Sequence, residues 1–271
     1  MKTPPKFTAL SAASLLLFAA SSANGAITLV SHDFGGLSST DLSGQTADAF
    51  AAAITTAGGS STWTGGDRFK ADGSVADTGS GTRQSASLNL GSFINGQRGN
   101  SDAIFILSVT MEQPTGSNWI SSGFSTLNTP STGHDMTGSS NTGAVTTYLY
   151  RIGASAQLDM RDGLGTDGVI VGSNGVSTAG GVQTLTVTLD LRNWNGTDNW
   201  GTVTYTATGF TTPESYTSNL TATNSSFGAI LLTTAPSAAG SISNVTLSQI
   251  PEPTTALLGG LGLLALLRRR R

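Results

Sequence analysis

Proton transfer in this chain would have to run through very few side chains. The sequence holds two histidines, His32 and His134, each followed by an aspartate, Asp33 and Asp135. A serine or threonine nucleophile needs such a base within hydrogen-bond reach. The Gly-x-Ser-x-Gly elbow that presents one is absent from the sequence. His32 is therefore read as a surface or edge-strand residue of the first strand, and His134 as a loop residue. Glycosidic hydrolysis needs two carboxylates flanking one bond. Between residues 26 and 250 the only glutamates are Glu112 and Glu214, neither beside another acid. Asp159 and Asp162 flank Arg161, but Gly163 follows at once, the composition of a turn. Gly163, Gly165 and Gly168 have dinucleotide-loop spacing, yet Val169, Ile170 and Val171 follow as a strand where a helix is required. No catalytic residue is assigned, and the body is read as non-enzymatic.

Metal and sugar chemistry offer more. With no cysteine and two histidines, thiolate and multi-histidine sites are excluded. Hard oxygen donors remain: Asp67, Asp72 and Asp77 lie among Gly65, Gly66, Gly73 and Gly79, and Asp159, Asp162 and Asp167 form a second group. Calcium accepts six to eight such oxygens, although neither group follows an established calcium-loop pattern and aspartate is common in turns. The expectation is no resident cofactor, with calcium at Asp67, Asp72 and Asp77 the leading candidate for a bound ion and Asp159, Asp162 and Asp167 the second. Saccharides are commonly held on an aromatic ring with polar neighbours. Trp194 beside Asn193, Asn195 and Asn199 is the best candidate contact, while Trp119 and Trp200 are assigned to packing and Trp63 to a glycine- and threonine-containing loop.

The charge divides unevenly. Lys2 and Lys6 lie at one end and Arg268 to Arg271 at the other, leaving seven basic against fifteen acidic residues, a net of −8, in the 26–250 body. Such a body repels phosphate backbones, which argues against nucleic-acid partners.

The two ends are processing segments. Lys2 and Lys6, the apolar run around Leu15, Leu16, Leu17 and Phe18, and the small residues Ala23, Gly25 and Ala26 have the layout of a secretory signal peptide over 1–25. The other end holds Pro251, Glu252 and Pro253, then an apolar segment from Thr254 to Leu267, then Arg268, Arg269, Arg270 and Arg271. Fourteen residues in a helix reach about 21 Å against about 30 Å of hydrocarbon. Snorkelling arginines extend the span, and a basic cluster holds its end in the cytoplasm. Both ends would then face the cytoplasm while the body is exported.

This tail, over 251–271, resembles the PEP-CTERM sorting tail of Gram-negative bacteria. The resemblance implies recognition at Pro251, Glu252 and Pro253, a transmembrane span, a membrane stop at Arg268 to Arg271, and removal by an exosortase after signal peptidase has acted. It also implies a place at the cell surface or in the extracellular matrix, near extracellular polysaccharide.

The body between the ends alternates polar and apolar residues with the period of a strand. In Val182 to Leu191, Leu185, Val187, Leu189 and Leu191 alternate with Thr184, Thr186, Thr188 and Asp190; Val203, Tyr205 and Ala207 repeat the pattern after an Asn- and Gly-rich connection. The run Ala103 to Val109 predicts a central strand covered on both faces. Further strands are predicted at Ile27 to Phe34, Ser87 to Phe93, Asn118 to Phe124, Ala144 to Arg151, Ala154 to Met160, Gly168 to Val171, Phe227 to Leu232 and Ser241 to Ile250. One helix is predicted near Thr46 to Thr56. Many short strands with one helix exclude a doubly wound fold and fit an all-β antiparallel jelly-roll sandwich. With its first strand paired to its last, the body resembles concanavalin A-like lectins and glucanases. That resemblance implies a structural or carbohydrate-adhesive role, with a polysaccharide-active hydrolase as the alternative.

Overall fold

The computed structural model describes residues 25–35, 40–65, 69–71, 75–77, 84–112, 119–129, 149–153, 157–161, 170–175, 182–208, 214–234 and 241–251. The N-terminal segment read as a signal peptide and the tail beyond Pro251 lie outside them.

Two antiparallel sheets enclose one core. The larger contains β1 (Ile27–His32), β2 (Thr40–Asp41), β3 (Ala49–Phe50), β5 (Phe69–Ala71), β6 (Val75–Asp77), β8 (Ile104–Glu112), β13 (Val182–Asp190), β14 (Thr202–Thr208), β15 (Glu214–Asn219) and β17 (Ser241–Gln249). The smaller contains β4 (Trp63–Gly65), β7 (Gln84–Asn89), β9 (Trp119–Ser125), β10 (Leu149–Gly153), β11 (Gln157–Arg161), β12 (Ile170–Gly175) and β16 (Ala229–Thr234). The main path across the large sheet is β15, β14, β13, β8, β17, with β1 beside β17; the small sheet runs β12, β11, β10, β9, β16, β7, β4. The first strand does pair with the last, Ile27 opposite Gln249. Each of the eleven segments predicted as strands overlaps a strand among the described residues, though Ala144 to Arg151 meets β10 only from Leu149 and Gly168 to Val171 meets β12 only from Ile170.

Period-two alternation is what places the core. Phe105, Leu107, Val109 and Met111 from β8 and Leu185, Val187 and Leu189 from β13 turn inward. They meet Leu88, Ile120, Phe124, Ile230 and Leu232 of the small sheet in the same buried cluster. Burying each such side chain is worth about 1.5–3 kcal/mol. The threonines between them form columns on the outer face: Thr184 lies opposite Thr208, Thr186 opposite Thr206 and Thr188 opposite Thr204. Thr204 and Thr217 hydroxyls lie 2.9 Å apart across the β14/β15 pair.

Four sequence expectations are corrected. β8 is central, between β13 and β17, but covered on one face: Ile104 and Ile106 on the outer side are only half-buried. Among the described residues β16 is buried on both faces along its whole length, and its run of Ile230, Leu231 and Leu232 carries the same signal. The predicted helix at 46–56 is reduced to α1 (Ala52–Thr56), because Ala49 and Phe50 pair with β1 and Ala51 donates its N–H to the Leu29 carbonyl at 2.8 Å. Ser87 to Phe93 is strand only to Asn89; the chain then turns at Gly91 into the single-turn α2 (Phe93–Gly96). Asp159 lies within β11, opposite Arg151, rather than in a turn; Asp162 is outside the described residues.

The Gly91 turn packs directly on the end of α1. Gly91 has φ +59°, and a Cβ there would stand 2.2 Å from the Ala57 carbonyl oxygen and 2.7 Å from the Gly58 carbonyl carbon. Gly91→Ala is expected to cost about 1–2 kcal/mol for the left-handed backbone and about 1–3 kcal/mol for the collision. Chemical denaturation should show this as a lowered midpoint with an unchanged slope.

Candidate functional site

One row of paired residues runs across the large sheet: Ile27, Gln249, Phe105, Leu189, Val203 and Ser218 are successive partners. Just beyond it β1 begins, β17 ends, β8 begins, β13 ends, β14 begins and β15 ends. The β13–β14 connection, residues 191–201, leaves the sheet at this pole and carries Trp194, Asn193, Asn195 and Asn199.

Its shape comes from its own asparagines. The Asn195 Oδ1 accepts backbone N–H groups from Thr197, Asp198 and Asn199 at 3.0, 3.2 and 3.1 Å. Its Nδ2 donates to Asp198 at 2.6 Å, and its own N–H bonds the Asn199 carbonyl at 2.9 Å. The Asn199 Oδ1 in turn accepts the Gly201 N–H at 3.0 Å. Side-chain carbonyls that take up successive backbone donors are the reason asparagine favours tight loops. At the entrance Arg192 reaches back to Asp190, with N···O 2.6 Å. That guanidinium holds the Asp190 carboxyl below its ordinary value. The pair is partly exposed, and such pairs add little to stability.

Trp194 anchors the loop. Gly196, at φ +74°, packs on its ring so closely that a Cβ would lie 2.8 Å from the indole Cη2. Trp200 meets it edge-on at 5.9 Å, and the Arg98 guanidinium stands 5.3 Å from the ring centroid. Arg98 also donates to Asn95 Oδ1 at 2.6 Å and to the Ser225 carbonyl. Asn95 Oδ1 further accepts the Phe227 N–H at 2.9 Å. The loop is thereby tied to α2 and to the connection entering β16. The indole N–H of Trp194 is buried and finds no acceptor among the described residues.

The structure thus brings Trp194, Asn193, Asn195 and Asn199 into one loop, but divides their work. Asn195 and Asn199 are committed to its backbone, the Trp194 ring is shared with Arg98 and Trp200, and Asn193 is exposed. Trp200 packs against the core as expected. Arg98 and Asn95 were not singled out in the sequence, where nothing marks residues about a hundred positions away as their neighbours. Asn195→Ala should leave the fold intact while destabilising it by about 0.5–2 kcal/mol, the cost typical of a lost capping side chain. Faster amide exchange confined to residues 197–199 would be its signature.

Of the calcium candidates, Asp67 and Asp72 lie outside the described residues and Asp77 ends β6. Among the described residues no cluster of three acidic or histidine side chains could hold a metal. Glu112 ends β8 and Glu214 begins β15, in strands separated by β13 and β14. Three strand spacings are about 14 Å, beyond the roughly 5–9.5 Å of glycosidase carboxyl pairs.

His32 is not at the surface. It is 2% exposed, and its Nδ1 accepts the Trp63 indole N–H at 2.8 Å. Trp63, on β4, is 1% exposed and so is part of the core rather than of a loop. Burial holds the imidazole below its ordinary value, opposed by Asp48 and Asp33. His134 lies outside the described residues.

Among solved structures the chain is similar to peanut lectin, with 12% identity, TM-score 0.43, and coverage of 69% of this chain and 90% of that one. It is similar also to arcelin-5, a lectin-like defense protein from Phaseolus vulgaris, at 10% identity, TM-score 0.42 and coverage of 69% and 91%. A third match is the CBM2 module of an evolved Dit from Lactobacillus casei BL23 phage J-1, at 10% identity, TM-score 0.41 and coverage of 84% and 97%. The architecture of the chain rests on its own strand pairings. No curated protein matches it.

Among the described residues no helix is long and apolar enough to cross a membrane. The folded body ends where the tail begins: Ile250 donates its N–H to the Ile104 carbonyl at 2.9 Å, and Pro251 follows. From Gln249 to Arg271 the chain matches the PEP-CTERM protein-sorting motif, and so carries the signal of an exported protein sorted by an exosortase.

Proposed function

We propose that this is a non-enzymatic protein of the cell surface or extracellular matrix of a Gram-negative bacterium, with a structural or carbohydrate-adhesive role. The observation that carries the reading is the sorting motif joined without a linker to the last strand of a β-sandwich. In this reading signal peptidase removes residues 1–25, and exosortase recognises Pro251, Glu252 and Pro253. The span up to Leu267 holds the chain in the membrane until then, with Arg268 to Arg271 as the stop. The saccharide contact is the 191–201 loop, where the Trp194 and Trp200 pair supports exposed polar groups at Arg192, Asn193 and Thr197. Extracellular polysaccharide is the partner this chemistry fits: neutral hydroxyls matched by the Asn193 amide and the Thr197 hydroxyl, with no cationic field to draw an acidic polymer.

A glycan array probed with the exported protein, run beside hydrolysis assays on a panel of polysaccharides, tests this. Saturable binding without turnover is expected. Turnover abolished by an aspartate substitution would overturn the non-enzymatic reading in favour of a hydrolase, and no saturable ligand would leave only the structural role. The body is taken to work without a resident cofactor. Calorimetric titration with calcium should accordingly give no heat and no rise in Tm, whereas saturable heat lost on replacing Asp67, Asp72 and Asp77 would place the ion there.

A further inference from the structure

Both membrane-directed ends of the chain join the body at the pole that carries the Trp194 loop. The signal segment leads into β1, whose first residue, Ile27, stands opposite Gln249, the last residue of β17. Gln249 is buried and donates its Nε2 to the Asp102 carbonyl at 3.1 Å, and Ile250 is bonded to Ile104, so the exit point is held by the sheet itself. From Gln249 the row passes through Phe105 to Leu189 and Val203, between which the 191–201 loop emerges. That is two to three strand spacings, about 10–14 Å. The other ends of these strands, where Ser241, Glu112 and Val182 lie side by side, form the opposite pole. The nine residues of β8 separate the two poles by about 27 Å.

The tether is short. Only Pro251, Glu252 and Pro253 stand between Ile250 and the apolar segment that starts at Thr254, and three extended residues span at most about 11 Å. A body fixed at its exit point by so short a connection cannot turn its loop pole away from the bilayer.

We propose that, while the sorting tail is in place, the 191–201 loop is an interaction surface apposed to the lipid headgroup layer. Removal of the tail is then the event that opens this loop to ligands in the extracellular space. The inference rests on reading the tail as a membrane span, and adds to it where the body faces. The exposed part of the surface suits a headgroup layer: Arg192 is already paired with Asp190 and Asp198 is bonded to the Asn195 amide, while Asn193 and Thr197 present neutral hydrogen-bonding groups.

The chain has no cysteine, so single labels can be placed at will. Full-length Asn193→Cys and Glu112→Cys proteins, both substituted at exposed positions, would carry a fluorophore and be reconstituted in phosphatidylethanolamine and phosphatidylglycerol vesicles containing a headgroup-attached nitroxide. Loss of emission is expected at position 193 and not at 112. A twelve-residue Gly/Ser spacer inserted after Ile250, adding about 20 Å of reach, should restore emission at 193. Equal quenching at both positions in protein that floats with the vesicles, or quenching unaffected by the spacer, would overturn the inference while leaving the span intact. Protein that does not float would overturn the span reading, and the inference with it.

Discussion

Trp63→Ala should destabilise the body by about 3–5 kcal/mol, the range for deleting a large aromatic side chain from a core. Trp63 heads the fully buried side chains, and its ring centroid lies 6.2 Å from those of both Phe34 and His32. The substitution opens a cavity between β4 and β1 and also removes the donor to His32 Nδ1. Trp63→Phe separates the two effects: most of the packing stays, but a buried acceptor is left unsatisfied, at about 1–3 kcal/mol. The same contact sets a pH dependence. An Nδ1 that accepts a hydrogen bond carries no proton, and burial lowers the folded-state pKa of His32 below its unfolded value. The unfolded chain therefore binds this proton first, and stability is lost as pH falls below the ordinary histidine value, about 6.5, toward the lower folded one. Urea midpoints measured between neutral and mildly acidic pH should fall in the wild type. In His32→Gln the component due to this group should vanish.

Truncation after Ile250 should move the exported protein completely from the membrane fraction to the soluble one. Every residue of the apolar segment and the arginine cluster lies beyond that point, whereas the last backbone bond of the sheet, from Ile250 to Ile104, is kept. The truncated body should therefore melt close to the wild type. Replacing only Glu252 with Ala should act oppositely. If the proposed span holds the chain, it is left whole while the matched motif is damaged, so chains should accumulate in the membrane with Arg271 still attached. Intact-mass measurement of the C-terminus reads both outcomes, and membrane retention of the truncated chain would show that the anchor lies elsewhere.

What the sequence made legible was whatever depends on local period. Leu185, Val187 and Leu189 against Thr184, Thr186 and Thr188 announce β13 because one face meets the core and the other meets water. β15 escapes the same test: Glu214–Asn219 has a single apolar residue, Tyr216, and as an edge strand it needs a partner on only one side. The strands β2 to β6, of two or three residues each, are too short to show any period. The opposite error arises in β8, where Ile104, Phe105, Ile106 and Leu107 imitate a doubly covered strand although alternate residues face outward. For the candidate site, asparagines around Trp194 flagged the loop, but the same residue type serves to bind a ligand or to fold its own backbone. Only the hydrogen bonds of Asn195 decide between these. His32 meeting Trp63 is a long-range contact, with no trace in the residues around either.

Each sheet takes an interior strand from the end of the body: β16 lies between β9 and β7, and β17 lies between β8 and β1. Until these two strands have been made and translocated, both sheets have gaps at their centres and no shared core can close. Contacts so distant in sequence form slowly. The complete core thus cannot assemble, on this topology, until nearly the whole body is available to it. The last strand the core needs, β17, is the one that leads directly into the sorting motif.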